Sequence, residues 1–195
     1  MSNGSLSRVS AKTAAEVCER FDIGEEARTL LRTDLTPRQY VDLLAEKQNF
    51  AAAIRFLAHA LPKREAVWWA CSCVRATAGP SLEPAATAAL QAAEKWVANP
   101  SEENRRAAMP AAQAAGLATA AGSAALAAFV SGGSLGPSNV PPIPVAENLT
   151  PQVVGGAVLV AAVAKETEKA FERFRAFLSS GIEIADGAHR WPEKR

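Results

Sequence analysis

The sequence has little of what enzymes and metal sites are usually built from. Its 195 residues include only two histidines, three cysteines and one tyrosine. Cys71 and Cys73 are two positions apart, and on a helix that spacing turns the two thiols about 200° away from each other, so they cannot share one ion. No set of Cys and His accompanies them. We therefore expect no metal and no cofactor, and we interpret these thiols as core residues.

Motifs for catalysis are equally scarce. His59 and His189 lie in unrelated contexts, with no serine elbow or evident nucleophile beside either one. Acidic pairs such as Glu102-Glu103 stand at helix starts or on amphipathic faces, where solvated charges normally lie. We expect His59 to make a surface or interhelical hydrogen bond and His189 to be solvated. The sequence therefore predicts a protein that is not an enzyme.

The chain also lacks an excess of charge and a long hydrophobic run. It has 21 Lys and Arg against 20 Asp and Glu, scattered rather than grouped in a stripe, so nucleic acid is not an expected partner. The apolar run 153–164 is well short of the roughly 20 residues that cross a membrane. The first residues show no export signal, and an odd number of cysteines is typical of reduced thiols. We expect a cytoplasmic protein with no membrane span.

What the sequence does contain is helical periodicity, dominated by alanine. Thr36-Pro37-Arg38-Gln39 combines a capping box with proline in the first helical turn. Pro62 opens an almost wholly apolar helix that Gly79 stops. Similar patterns cover 10–24, 25–31, 49–61, 81–99, 101–115, 119–130 and 150–178. We predict an all-α single domain, 1–195, a bundle of about seven or eight helices, with those starting at Pro62 and Thr150 nearest the centre.

Three features interrupt this pattern. Residues 131–148 are rich in Gly, Pro and Ser and have neither helical nor strand periodicity, which predicts one long Gly/Pro-rich loop. Pro110 falls inside the 101–115 pattern, where we expect a kink or a break. Residues 1–9 and 182–195 are predicted to be flexible tails, although Ile182, Ile184 and Trp191 have the character to dock.

Polar residues beside bulky aromatics, together with the long loop, make the best candidate interaction surface. The residues in question are His59, Lys63, Arg64, Glu65, Arg105, Ser131, Gly132, Gly133 and Ser134. The segment 131–134 follows a helix and lacks the lysine of a P-loop, so it is not a phosphate cradle. We interpret it as a helix C-cap and chain reversal, with a binding loop over a pocket as the alternative.

The tract 57–71, LAHALPKREAVWWAC, resembles an uncharacterised family of bacterial proteins, and the resemblance extends through AEKWV at 93–97, ENRR at 103–106 and SGGSL at 131–135. Some members of that family are labelled as twin-arginine translocation pathway proteins, and some are encoded beside type VI secretion genes. The present sequence has no such signal at its start, since Arg105-Arg106 lies deep in the chain. The resemblance implies an accessory or interaction role in a bacterial cytoplasm.

These observations favour a non-enzymatic protein-protein interaction or scaffolding protein whose partner is another protein. It would be an accessory or immunity-like component of a secretion system. The alternative is a small-molecule-binding protein or an unrecognised enzyme with an interhelical pocket under the 131–148 loop. A deep pocket lined by Trp69 or Trp96, with Arg64, Glu65 and Arg105 converging on it, would favour the alternative. A packed interior and an exposed apolar patch would favour the interaction protein.

Overall fold

The computed structural model describes residues 6–79, 82–137 and 139–188. Within these ranges the chain forms ten α-helices and one 3-10 turn, and its only extended pairing is an isolated bridge between Ser134 and Pro144. The all-α prediction is therefore confirmed. The described residues contain more helices than the seven or eight predicted, partly because the last helical pattern, 150–178, is divided in two.

The helices are α1 (Ala14–Cys18), α2 (Glu25–Thr29), α3 (Pro37–Glu46), α4 (Phe50–Ala60), α5 (Lys63–Ala78), α6 (Pro84–Ala98), α7 (Glu102–Ala115), α8 (Ala120–Phe129), α9 (Leu149–Val163) and α10 (Ala170–Ala185). The 3-10 turn, Thr167–Lys169, immediately precedes α10. Residues 131–148, predicted to be a loop, contain none of these helices.

Local capping interactions set several of these boundaries. The predicted capping box of α3 is present, because the Thr36 hydroxyl accepts from the Gln39 amide while the Gln39 side chain accepts from the Thr36 amide. The Asn49 side chain accepts from the Ala52 amide at the start of α4. The break considered at Pro110 does not occur, since α7 continues through this exposed residue.

The centre of the fold is formed by α5 and α9, as predicted. Helix α5 packs against α6, α8, α9 and α10, and α9 packs against α4, α5, α8 and α10. Trp69 of α5 is fully buried, and its Nε1 donates to the Phe177 carbonyl of α10 at 2.8 Å. Small residues allow close helix approach: a Cβ on Gly155 of α9 would lie 3.7 Å from the Arg55 Cα of α4.

A bend of 120° separates α9 from the segment that contains α10, although one periodic pattern runs through both. Glu166 lies at the bend with a left-handed φ of 43°. The Arg173 guanidinium donates to the Ala162 carbonyl at 3.2 Å and to the Lys165 carbonyl, which satisfies backbone groups freed at the end of α9. Among the described helices none is by itself both long and apolar enough to cross a membrane, and this bent pair meets both criteria only when joined.

Parts of both predicted tails belong to the packed structure. Helix α10 continues to Ala185, with Ile184 buried. Leu6 is also buried, and the Arg8 amide donates to the Ala185 carbonyl at 2.8 Å. The prediction of flexible tails therefore does not hold for 6–9 and 182–188. Residues 1–5 and 189–195, which include His189 and Trp191, lie outside the described residues, as does the predicted helix start at Ser81.

Gly181 marks the closest approach of α10 to the core. A Cβ at this position would lie 2.6 Å from Trp69 Cε2 and 2.8 Å from Leu57 Cδ2. Because overpacking a filled core is destabilising, we predict that Gly181→Ala lowers the free energy of unfolding by about 1–3 kcal/mol.

Gly156→Ala is the matched control for this substitution, because Gly156 lies within α9 and, apart from its chain neighbours and the backbone of its own helix, no atom lies within 4 Å of the added carbon. It should raise the free energy of unfolding by about 0.5–1 kcal/mol, since alanine loses less backbone entropy than glycine in a helix. Chemical denaturation of the two variants and the wild type measures both effects. Equal stabilisation by the two alanines would contradict the packing described for α10.

Candidate functional site

The long loop between α8 and α9 folds into a hairpin. Ser134 and Pro144 pair in antiparallel fashion, and the Leu135 amide donates to the Ile143 carbonyl at 2.9 Å. The Ser134 hydroxyl accepts from the amides of Gly136 at 3.1 Å and Ile143 at 2.9 Å. These bonds hold the two arms together at their base. The described residues 134–137 and 139–144 are termed the hairpin below.

Arg105 of α7 attaches this hairpin to the helices. Its side chain is only 4% exposed, and its Nε pairs with Glu102 at 2.6 Å. Nη1 donates to the Phe129 carbonyl at 2.5 Å and Nη2 to the Ser134 carbonyl at 3.0 Å. The guanidinium carbon lies 4.9 Å from the centre of the Phe129 ring. Hydrogen bonds from a charged group contribute about 1.5–3 kcal/mol each, so Arg105 is a strong tie between α7, the end of α8 and the hairpin.

Two further residues complete the attachment. Arg106 donates from Nη1 to the Gly136 carbonyl at 3.0 Å and pairs with Glu102 at 2.7 Å. Gly133 has a φ of 64°, and a Cβ there would lie 2.9 Å from the Nε of Arg105. Any side chain at this position would be strained and would displace the guanidinium. The glycine is therefore required by the attachment itself.

The hairpin exposes a group of apolar side chains. Leu135 is 37% exposed, Val140 42% and Ile143 52%. Val140 and Ile143 are neighbours, because atoms of their side chains lie 3.2 and 3.3 Å from the position that a Cβ on Gly136 would take. The sequence from 131 to 146 contains no charged residue. The hairpin therefore presents an uncharged apolar patch on a backbone that two arginines hold in place.

A pocket of about 590 Å³ lies at the base of the same loop. Its wall is formed mainly by Arg20, His59, Lys63, Glu147, Asn148 and Pro151. The Lys63 ammonium donates to the Ser131 carbonyl at 3.0 Å and so ties the start of the loop to α5. The loop thus borders a pocket, as the alternative function requires. This pocket is not lined by Trp69 or Trp96, which fill the core instead.

His59 is buried under this pocket instead of lying on an exposed surface. It is 5% exposed and stacks on Phe21 with the ring centres 3.7 Å apart. Nδ1 lies 2.8 Å from the Arg55 carbonyl, which can only accept, so Nδ1 carries the proton. Burial, assisted by the charges of Arg55 and Arg20, holds the pKa of His59 below its ordinary value. The ring is neutral at pH 7, and its Nε2 lone pair has no partner among the described residues.

The predicted interaction residues do not form one exposed surface. His59 and Arg105 are both buried, so the prediction that they offer a surface to a partner is wrong. Arg64 donates to the last carbonyls of α6 at 2.6 and 3.1 Å, where a cation is favoured by the helix dipole. Glu65 follows it on α5 and is half-buried. Lys63 of this polar tract meets the loop, through Ser131.

Several residues at the site were not predicted. Thr150 is fully buried, and its hydroxyl donates to the Val130 carbonyl at 2.7 Å, which closes the loop at its far end. Arg106 was interpreted only as half of an internal arginine pair. The spacing of Glu102 three and four positions before the two arginines was the available signal for an ion-pair network. Nothing in the sequence around Arg20 indicates that it reaches the pocket.

The three cysteine thiols are buried and protonated, which makes them poor nucleophiles. Cys71 and Cys73 are buried, as predicted for core residues, and Cys18 is buried too. Burial raises the pKa of the Cys18 thiol to about 11 and also raises the pKa of the other two thiols. A neutral thiol is a weak nucleophile at pH 7. Over the same described ranges, no three His, Cys, Asp or Glu side chains are grouped so that they could hold a metal ion.

Glu102 makes the attachment of the hairpin sensitive to acid. A hydrogen bond from Arg105, followed by the bond and charge of Arg106, lowers the pKa of the Glu102 carboxyl to about 2. A carboxyl with a depressed pKa in the folded state stabilises fully above its unfolded pKa of about 4.3, and this contribution is lost as the pH falls through the folded value.

We predict that Glu102→Gln lowers the Tm at pH 7 by no more than about 4 °C, since the carboxyl is largely exposed and solvent screens its ion pairs. The difference from wild type should shrink below about pH 5 and vanish only below about pH 2. Thermal unfolding followed by circular dichroism measures it, with Glu103→Gln, an exposed neighbour that makes none of these bonds, as the control. A Tm difference that does not change with pH would contradict the ion-pair network.

Comparison with known proteins bears on the family to which the chain belongs. No curated protein and no solved structure matches the chain. A family model with the description "family of unknown function (DUF6931)" matches residues 40–185. The matched range contains Arg105, the whole hairpin and every wall residue named for the pocket except Arg20. The resemblance to an uncharacterised family is confirmed, and the chain belongs to the family of unknown function DUF6931.

Proposed function

We propose that the protein is a non-enzymatic interaction or scaffolding module that binds a protein partner through the hairpin. The observation that supports this most is the exposure of Leu135, Val140 and Ile143 on a segment whose base is held by Arg105. Exposed apolar side chains grouped in this way are typical of interaction sites. Because hydrogen bonds already hold the base of the hairpin, a partner would lose less entropy in fixing that base on binding.

The composition of the hairpin indicates what kind of surface it fits. Proline occupies positions 137, 141, 142 and 144, and each ring fixes the backbone φ near about −65°. Proline-rich segments with a pre-set backbone dock into grooves lined by aromatic side chains. The hairpin carries no charge that an ionic partner could pair with. We therefore expect the partner to present an apolar groove with aromatic side chains, not a charged face.

The proposed interaction protein is cytoplasmic and is an accessory of a secretion system. The three unpaired, buried cysteines are compatible with a reducing compartment. The tract 57–71 resembles a family in which some members are encoded beside type VI secretion genes. A structural component or an effector of such a system is accordingly the partner that we would look for first.

The pocket at the loop base favours a second candidate function, a small-molecule-binding protein. Its volume of about 590 Å³ lies within the range of about 300–1,000 Å³ that is usual for ligand sites. The polar residues that the sequence put forward for such a site, Arg64, Glu65 and Arg105, do not converge on it. The pocket is lined instead by other residues, among them Arg20, His59 and Lys63.

Serine substitutions at the apolar patch test the interaction proposal. Leu135→Ser, Val140→Ser and Ile143→Ser combined in one variant remove the exposed apolar surface while Arg105 keeps its bonds to backbone carbonyls. In affinity purifications from the native host, we expect a protein recovered with the wild type to be reduced about tenfold or more with this variant.

Leu117→Ser combined with Val163→Ser is the matched control, because these side chains are 42% and 44% exposed outside the hairpin. This control should retain the partner. A photo-crosslinking residue at position 143 should trap the same protein in cells, whereas one at position 117 should not. Retention of every partner by a folded hairpin variant, or equal loss with the control, would contradict the proposal.

A further inference from the structure

A short turn covers the ring of His59. Residues 19–22, termed the lid below, follow α1, and all of them except Phe21 are exposed. The half-buried ring of Phe21 lies almost parallel to the imidazole, at 10°, with the ring centres 3.7 Å apart. Cys18 and Ile23, on either side of the lid, are buried. The lid is therefore a small exposed segment between two anchored residues, and Phe21 is its inner face.

Two arginines hold the lid against α4. Arg20 of the lid donates from Nη1 to the His59 carbonyl at 3.2 Å, and Arg55 of α4 donates from Nη2 to the Asp22 carbonyl at 2.5 Å. The Arg55 guanidinium carbon also lies 5.8 Å from the centre of the Phe21 ring. These bonds close the lid, and they place two cations beside the imidazole.

The charges around the ring favour its neutral form. Burial has the largest effect and lowers the pKa of His59, and the positive charges of Arg55 and Arg20 lower it further. The bond from Nδ1 to the Arg55 carbonyl acts in the opposite direction but is outweighed. Lys63 of α5 adds a further cation to the pocket that His59 borders, and Glu147, on the same wall, is an exposed carboxylate.

A proton on this ring would have no place in the closed arrangement. It would go to Nε2, which is buried and has no partner among the described residues. A charged N–H group would then be buried without an acceptor and beside two guanidinium groups. The face of Phe21 attracts a cation, but it does not replace the water that Nε2 would gain on exposure. The exposed lid is the part that can give way, because it lies outside the helices.

We infer that residues 19–22 form a lid that acid opens: the open form, in which Phe21 has left the imidazole, binds a proton at Nε2 of His59. Opening breaks the bond from Arg20 to the His59 carbonyl and withdraws Arg20 from the pocket wall. Acid therefore exposes an aromatic side chain and removes a cation from the pocket at the same time. This device is separate from the hairpin.

The sign of the pH dependence follows from linkage. His59 has an ordinary pKa of about 6.5 when the lid is open and a lower pKa when the lid is closed. The closed form consequently has its full stability above about pH 6.5 and loses stability as the pH falls toward the lower pKa. The lid is closed at neutral pH and opens in mild acid.

Fluorine NMR of 4-fluorophenylalanine placed at position 21 follows the lid, and nitrogen NMR of the imidazole follows His59. A His189→Gln background leaves one histidine to observe. As the pH is lowered from about 8 to about 4.5, we expect both signals to change together, with one midpoint below about 6.5. The same label at Phe174, a half-buried residue of α10, is the control and should keep its chemical shift.

Substitutions separate His59 from a general effect of acid. His59→Phe keeps a ring against Phe21 but cannot be protonated, so the fluorine signal at position 21 should not change over this pH range. Arg55→Gln removes a cation beside the imidazole and should raise the midpoint. Arg32→Gln, at an exposed arginine that pairs with Asp34, should leave it unchanged. The serine variant of the hairpin should titrate as the wild type does.

Four results would overturn the inference. They are a fluorine signal at position 21 that stays constant while His59 titrates, the same pH-dependent change in folded His59→Phe, a midpoint in Arg55→Gln no higher than in Arg32→Gln, and loss of helical circular dichroism with the same midpoint, which would mean that acid unfolds the whole chain. None of these measurements depends on the hairpin binding a protein, so this inference and the proposed function succeed or fail separately.

Discussion

The buried guanidinium of Arg105 holds together the parts of the molecule on which this account depends. It connects α7 with the Phe129 carbonyl at the end of α8 and with the Ser134 carbonyl in the hairpin. A charge withdrawn from water is tolerated only when its donors are paired, and Glu102 and the two carbonyls provide that pairing. If the hairpin left its position, part of this charge would lose its partners. The conformation of the loop and the packing of the helices are therefore interdependent.

The apolar patch and the pocket are built on one loop. After α8, Lys63 and Arg105 donate hydrogen bonds to carbonyls of this loop. At the start of α9, the buried hydroxyl of Thr150 donates to the Val130 carbonyl. Between these fixed ends the hairpin extends outward with its apolar side chains exposed, while Glu147 and Asn148 form part of the pocket wall. A partner on the hairpin and a small molecule in the pocket would contact the same segment from opposite ends.

The sequence predicted what local interactions determine and missed what distant contacts determine. The capping box of α3 and the central positions of α5 and α9 follow from nearby residue types. The bend at Glu166 does not, because Arg173 of the next helix donates to the Ala162 and Lys165 carbonyls and pairs with the Glu166 carboxylate. His59 was placed on a polar face because Phe21, which covers it, belongs to a remote segment. From the sequence, Arg105 looks like an ordinary solvated arginine, because the carbonyls that it binds belong to the distant residues Phe129 and Ser134.

Hydrogen exchange in an Arg105→Lys variant is the most direct test of the central claim, because lysine keeps the charge but cannot form the forked set of bonds. The amides to follow are those of Leu135 and Ile143, both hydrogen-bonded within the hairpin, with the Leu57 amide inside α4 as the reference. We predict that exchange at the two hairpin amides becomes about tenfold faster or more while the reference is unchanged. Unchanged protection at Leu135 and Ile143 would contradict the claim that Arg105 holds the hairpin in place.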